Sequence, residues 1–239
     1  MLPRLVIIGF GNVGHAIVHG AVTSGIAAPS EIGAIDTDPA RLKEAREMGL
    51  RAADGPLVVS VMAGMRSDAI RTQLGGSARV LRAMPNTPAA VRRGITAIAS
   101  DSGLAEGDVV RAEQLFSSVG TTVRVPESLF DAVTAVSGSG PAFLFRFLEA
   151  WAYAAEEIGL PPETAKILAR ETLIGASALL DETKEEPEVL RAKVTSKGGT
   201  TAAGMLRLDD TAARSGGLDA LMVETLRAAR DRGVELGRA

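Results

Sequence analysis

Along the first half of the chain, short apolar runs alternate with stretches whose apolar residues recur at helical spacing. Residues 5–9, 31–36, 56–63, 78–83, 95–100 and 121–125 are rich in Val and Ile and bounded by Gly, Pro, Asp or Ser, which predicts short strands. Helices are predicted between them over 13–24, 39–48, 65–74 and 106–119. Strands alternating with helices imply βαβ units and a mainly parallel sheet. After Pro126 the strand-like runs nearly vanish, and helices are predicted over 141–158, 162–180, 188–194, 201–207 and 218–236. Proline opens or precedes several of these, as expected at a first helical turn. The pattern therefore predicts an α/β domain over residues 1–126 and an all-α domain over 127–239.

Composition narrows the classes of function. The 239 residues are 46% apolar and 23% charged, with a net charge of −3, so the chain can bury a substantial core. A mildly acidic balance gives no footprint for nucleic acid, and no polybasic run addresses a membrane surface. The apolar run of residues 5–10 is too short to span a bilayer and leads into glycines, which reads as a buried strand and not a signal peptide. Cysteine is absent, so disulfides, thiolate nucleophiles and cysteine–zinc sites are excluded. The expected location is the cytoplasm. Histidine occurs only as His15 and His19. Their i, i+4 spacing would suit a metal pair, but no third ligand accompanies them, and no metal is expected.

Gly9-Phe10-Gly11-Asn12-Val13-Gly14 fits the G-x-G-x-x-G pattern, after a predicted strand and at the start of a predicted helix. The first glycine permits a tight turn, the second lets backbone approach a diphosphate, and the third lets helix pack on strand. The helix start offers unpaired N–H groups to an anion. Asp36 lies 22 residues past Gly14, at the end of the next strand, where a carboxylate bonds a ribose hydroxyl. The motif in this context predicts a dinucleotide-binding fold. Asp36 argues for NAD, because a carboxylate repels a 2′-phosphate. Arg41 could pair with that phosphate instead, or be a solvated helix residue.

Of eight aromatic residues, five are Phe143, Phe145, Phe147, Trp151 and Tyr153. On one helix, Phe143, Phe147 and Trp151 share a face while Phe145 and Tyr153 point elsewhere. A helix apolar on more than one face is buried on more than one side. In so small a domain this predicts burial against a second subunit, hence a homodimer or higher homo-oligomer.

Three further segments carry a more specific likeness. Arg82-Ala83-Met84-Pro85-Asn86-Thr87-Pro88, Ser137-Gly138-Ser139-Gly140-Pro141-Ala142 and Val194-Thr195-Ser196-Lys197-Gly198-Gly199-Thr200-Thr201, in this order and spacing, resemble pyrroline-5-carboxylate reductase over nearly the whole chain. The resemblance implies an N-terminal Rossmann-type parallel sheet followed by an all-α dimerisation domain. It implies reduction of 1-pyrroline-5-carboxylate to L-proline by hydride transfer from NADPH or NADH. It places Gly9, Phe10, Gly11, Asn12, Val13, Asp36, Arg41, Met62, Ala63, Pro85 and Asn86 on the cofactor. Asn86, with a donor and an acceptor, would grip the nicotinamide or a ribose, unless it bonds backbone. Ser139 reads as a helix cap near the substrate. Gly198, Gly199, Thr200 and Thr201 would cradle the substrate carboxylate, with the Thr201 hydroxyl on the ring nitrogen.

Two departures from the family pattern stand out. Lys197 occupies a place where the family commonly has proline. The stretch from Gly49 to Pro56 is too short, so that one βα unit, about 30 residues by usual size, is missing before the third strand. The absent turn normally touches the cofactor, and residues 57–63 are candidates to fill the vacant place beside the first strand. Two other readings remain at this point. One is a related hydroxyacid dehydrogenase with a lysine acid–base group, for which Lys197 is the nearest candidate among the five lysines. The other is a non-catalytic paralogue whose cofactor site the deletion has impaired.

Overall fold

The computed structural model describes residues 5–36, 38–50, 57–74, 78–101, 103–212 and 216–237. The elements run β1 (Leu5–Ile8), α1 (Asn12–Thr23), β2 (Ile32–Ile35), α2 (Pro39–Glu47), β3 (Leu57–Ser60), α3 (Ser67–Gln73), β4 (Arg79–Met84), β5 (Gly94–Ala99), α4 (Glu106–Ser117) and β6 (Gly120–Val125). There follow α5 (Phe130–Val133), a π-helical turn (Thr134–Gly138), α6 (Gly140–Glu157), α7 (Pro162–Thr183), α8 (Pro187–Lys193), α9 (Thr200–Leu208) and α10 (Gly217–Leu236). Pro56, expected to open the third strand, lies with the rest of 51–56 outside the described residues.

The six strands form one sheet in the order β2-β1-β3-β4-β5-β6. β3 lies directly beside β1 in parallel, with Ile7 opposite Val59 and, on the other side, Ala34. The place next to the first strand is therefore filled by residues that follow the shortened 49–56 stretch. The sheet is mainly parallel, as expected, and only β4 and β5 pair antiparallel. The reason is the connection: a single 3₁₀ turn, Thr87–Val91, reverses the chain, whereas a parallel pair needs a crossover. α4 supplies such a crossover, and β5 and β6 are parallel.

Local chemistry sets the helix ends. Asp38 caps α2, its carboxylate accepting the Ala40 N–H at 2.9 Å, and Pro39 occupies the first helical position. Helix α1 buries Gly14, Ile17, Val18 and Ala21, an i, i+3, i+4, i+7 stripe. These pack with Ile7, Leu81, Ile98, Leu115 and Phe116 in a core that fixes the carboxyl ends of the strands. Each large side chain contributes roughly 1.5–3 kcal/mol by leaving water.

Two compact units divide the chain, one made of residues up to Pro141 together with those from Leu226 onward, the other of Ala142–Thr225. Pro126 thus marks where the strands end, while the compact units part at Pro141. Inside the second unit, α7 buries only Ala165 and Ala169, and α6 buries nothing. Phe145 and Tyr153 are 62% and 64% exposed, and Phe147 meets Trp151 edge-on at 5.6 Å. Among the described residues no helix is long and apolar enough to cross a membrane.

Candidate active site

The chain leaves β1 through Gly9, whose φ of +97° is closed to ordinary L-residues. A Cβ on Gly14 would overlap the Gly9 carbonyl, so α1 can seat on the turn only with glycine there. At Gly11 no side chain caps α1, and its first N–H groups have no helical acceptor. Phe10, Gly11, Asn12, His15, Arg41 and Glu44 line a cleft of about 240 Å³ at this helix start, with Val13 behind it in the first turn. Asp36, only 9% exposed at its side chain, ties β2 to the turn: its Oδ2 accepts the Phe10 N–H at 2.6 Å. Its Oδ1 accepts the Asp38 N–H at 2.8 Å. Diphosphate-sized space, free N–H groups and a largely buried carboxylate at the end of β2 fit a dinucleotide. His15 and His19 stack on one another, and His15 Nε2 lies 3.4 Å from Glu44.

β3 delivers the next residues to the same edge. Val61 would stand 3.5 Å from a Cβ on Gly9, so the end of β3 flanks the glycine turn. Half-buried Met62 and exposed Ala63 follow, with the Met62 N–H held by Ser60 Oγ at 3.4 Å. After β4, Pro85 and Asn86 are buried. The Asn86 side chain is largely committed to backbone. Its Oδ1 accepts the Ile95 N–H at 2.9 Å, and its Nδ2 donates to the Ser137 carbonyl at 3.1 Å. This clamp joins the β4–β5 turn to the π-helical segment and leaves one amide N–H for a ligand. Ser139, read from sequence as a helix cap, has helical backbone angles where the π turn passes into α6. Its hydroxyl makes no hydrogen bond among the described residues.

In the second unit, Gly198 has φ +72° and turns the chain into α9, where Gly199 stands as an N-cap without a side chain. Ala203 N–H is the first to reach back, to Gly199 O at 3.1 Å. The N–H groups of Thr200, Thr201 and Ala202 thus present an anion cradle with no side-chain cap in the way. Thr201 is half-buried, and Lys197 is exposed at the rim.

Sequence reasoning missed a buried ionic cluster behind the strand ends. Arg82 Nη1 donates to Glu127 Oε1 at 3.1 Å, and its guanidinium lies 4.7 Å from the centre of the Phe130 ring. Glu127 also accepts the Ser67 N–H at 2.7 Å and the Ser67 hydroxyl at 2.5 Å. Burial pushes the Glu127 carboxyl up, but these bonds and the Arg82 charge outweigh it and hold it below the usual carboxylate range. The signal was an arginine in the strand Arg79–Met84, which is otherwise buried from Val80 onward.

Comparison with known proteins agrees with this architecture. The family model for pyrroline-5-carboxylate reductase dimerisation matches residues 127–236, and that for NADP oxidoreductase, coenzyme F420-dependent, matches 4–73. The pyrroline-5-carboxylate reductase of Methanosarcina acetivorans is 33% identical, with 97% of each chain covered. That of a Synechocystis strain is 44% identical over 78% of this chain and 67% of its own. The solved structure of a pyrroline-5-carboxylate reductase from Coxiella burnetii superposes with a TM-score of 0.82 at 29% identity, covering all of both chains. With likeness at both the nucleotide turn and the helical unit, and sustained along the full length, the chain belongs to the pyrroline-5-carboxylate reductase family.

Proposed function

We propose that this chain reduces 1-pyrroline-5-carboxylate to proline, with NADH or NADPH as the hydride donor. The observation that carries the reading is the open start of α9, a cradle shaped for a small carboxylate in a chain that also holds a dinucleotide turn. Bound at the edge formed by Gly9, Gly11, Asp36 and the ends of β3 and β4, the dinucleotide supplies the hydride.

The residues of the chain bind and orient. The Gly198-Gly199 turn opens the start of α9, where the backbone N–H groups of Thr200, Thr201 and Ala202 hold the substrate carboxylate, and the Thr201 hydroxyl fixes the ring nitrogen. An imine nitrogen is basic, so the ring reacts as its iminium ion. Hydride adds to the iminium carbon, the C=N π pair becomes the nitrogen lone pair, and solvent protonates the resulting amine. No strong protein acid is required, which suits a chain with two histidines, both beside the nucleotide cleft. Catalysis is then mostly positioning. The exposed aromatic helix α6 supports assembly as a homodimer or higher homo-oligomer, and dependence on reduced nicotinamide supports a cytoplasmic place of work.

The test is oxidation of each nicotinamide by the purified protein with and without 1-pyrroline-5-carboxylate, with proline measured as product. Imine-dependent oxidation with matching proline is expected. Oxidation with hydroxyacid products, or none with either coenzyme, would reject the reading.

A further inference from the structure

We propose that the β2–α2 corner makes this chain an NADH enzyme, with Asp36 and Asp38 as the discriminating residues and Arg41 serving the diphosphate common to both coenzymes. The inference rests on the proposed nucleotide-dependent activity and adds which nucleotide is used and why.

Asp36 is anchored beside the cleft by the N–H of Phe10, one of its lining residues, at 2.6 Å and by the Asp38 N–H at 2.8 Å. Its position is therefore set by backbone and cannot swing away from a ligand on the glycine turn. Asp38 is equally fixed, because it caps α2 through the Ala40 N–H. Glu44, one α2 turn past Arg41, lines the same cleft. An adenosine ribose with free hydroxyls donates to such carboxylates. A 2′-phosphate brings about −1.5 to −2 charges against them.

Arg41 is the obvious counter-argument, and its placement answers it. Its Nε lies 3.6 Å from Asp38 Oδ2 and its Nη1 3.9 Å from Asp36 Oδ2, so its charge is shared between the two acids. The same Nη1 reaches back over the turn, 2.5 Å from where a Cβ on Gly11 would stand. The second glycine is where backbone meets the diphosphate. A guanidinium stationed there grips a group that NADH and NADPH both possess and gives no preference between them. Discrimination is left to the acids, as repulsion built against the wrong ligand.

Binding without turnover tests this, by titrating NADH and NADPH separately while following nicotinamide fluorescence. NADH is expected to bind tighter by about tenfold or more, and the gap should narrow as salt rises, since screening weakens repulsion. Replacing both acids, D36N with D38N, keeps an acceptor for the Phe10 N–H and a cap for α2, gives up the Asp38 N–H bond to residue 36, and should close most of the gap. Arg41→Ala should weaken both nucleotides by a similar factor, about tenfold for a charge-assisted contact to phosphate. Circular dichroism of each variant checks that the fold is kept, and the salt series on the unaltered protein stands without any variant. NADPH binding as tightly as NADH, or an Arg41→Ala loss confined to NADPH, would overturn the proposal while leaving the reductase reading intact. Binding of neither nucleotide would overturn both.

Discussion

The Asp36 carboxylate accepts the Phe10 N–H across 26 residues of sequence, binding the end of β2 to the turn that follows β1. Through that bond, and the Asp38 N–H bond to the other carboxylate oxygen, the glycine turn, the acid at the end of β2 and the cap of α2 are tied into one corner. The nucleotide-facing part of the proposed site is thus preorganised by backbone hydrogen bonds.

The third glycine of the turn is the most constrained point of that corner. Gly14→Ala should push α1 off the turn, because the added methyl overlaps the Gly9 carbonyl. A destabilisation of about 1–3 kcal/mol is expected from overpacking, together with loss of nucleotide affinity. Thermal unfolding and fluorescence titration report the two effects. An alanine variant that binds coenzyme as the parent does would contradict the packing argument.

Thr201 is assigned to the ring nitrogen. Thr201→Ala should lower kcat by on the order of 10²-fold, as for loss of one well-placed hydrogen-bond donor, with coenzyme affinity unchanged. Thr201→Ser should restore most of the rate. Steady-state kinetics with both variants decides it, and parent-like turnover in the alanine variant removes Thr201 from the mechanism.

The Arg82–Glu127 pair predicts acid sensitivity. Glu127 is held below its ordinary pKa, so its contribution is fully present above the unfolded carboxylate value of about 4.3 and is lost as pH falls through the lower, folded value. Removing the partner, Glu127→Ala, strands a guanidinium whose Nε and Nη2 have no partner among the described residues. That should cost about 3–5 kcal/mol. Denaturant midpoints measured across acidic pH should fall more steeply for the parent than for Glu127→Gln.

Asn86 clamps two segments. Asn86→Ala leaves the Ile95 N–H and the Ser137 carbonyl without their partner, and should destabilise the first unit by about 1–3 kcal/mol. Hydrogen exchange at Ile95 should speed up with it, and unchanged exchange there would argue against the clamp.

The exposed helix α6 should be an assembly surface. Phe145→Asp with Tyr153→Asp places charge at two positions more than half exposed in the single chain. Sedimentation should show a smaller species than the parent, whereas identical mass for both would move the interface elsewhere.

What the amino-acid pattern determined by itself was local. Strand and helix identity along residues 5–125, the glycine turn, the acid at Asp36 and the glycine-rich start of α9 all follow from periodicities and backbone demands that act within a few residues. Tertiary structure decided which strand lies beside which. Nothing between Gly49 and Leu57 states that β3 will pair with β1, because that choice is made by long-range burial of Val59 against Ile7. Likewise, Asn86 and Arg41 carry the same chemistry in any loop or helix. Only the neighbours that folding brought to them, Ile95 and Ser137 for one and Gly11 with two carboxylates for the other, determine what that chemistry is spent on.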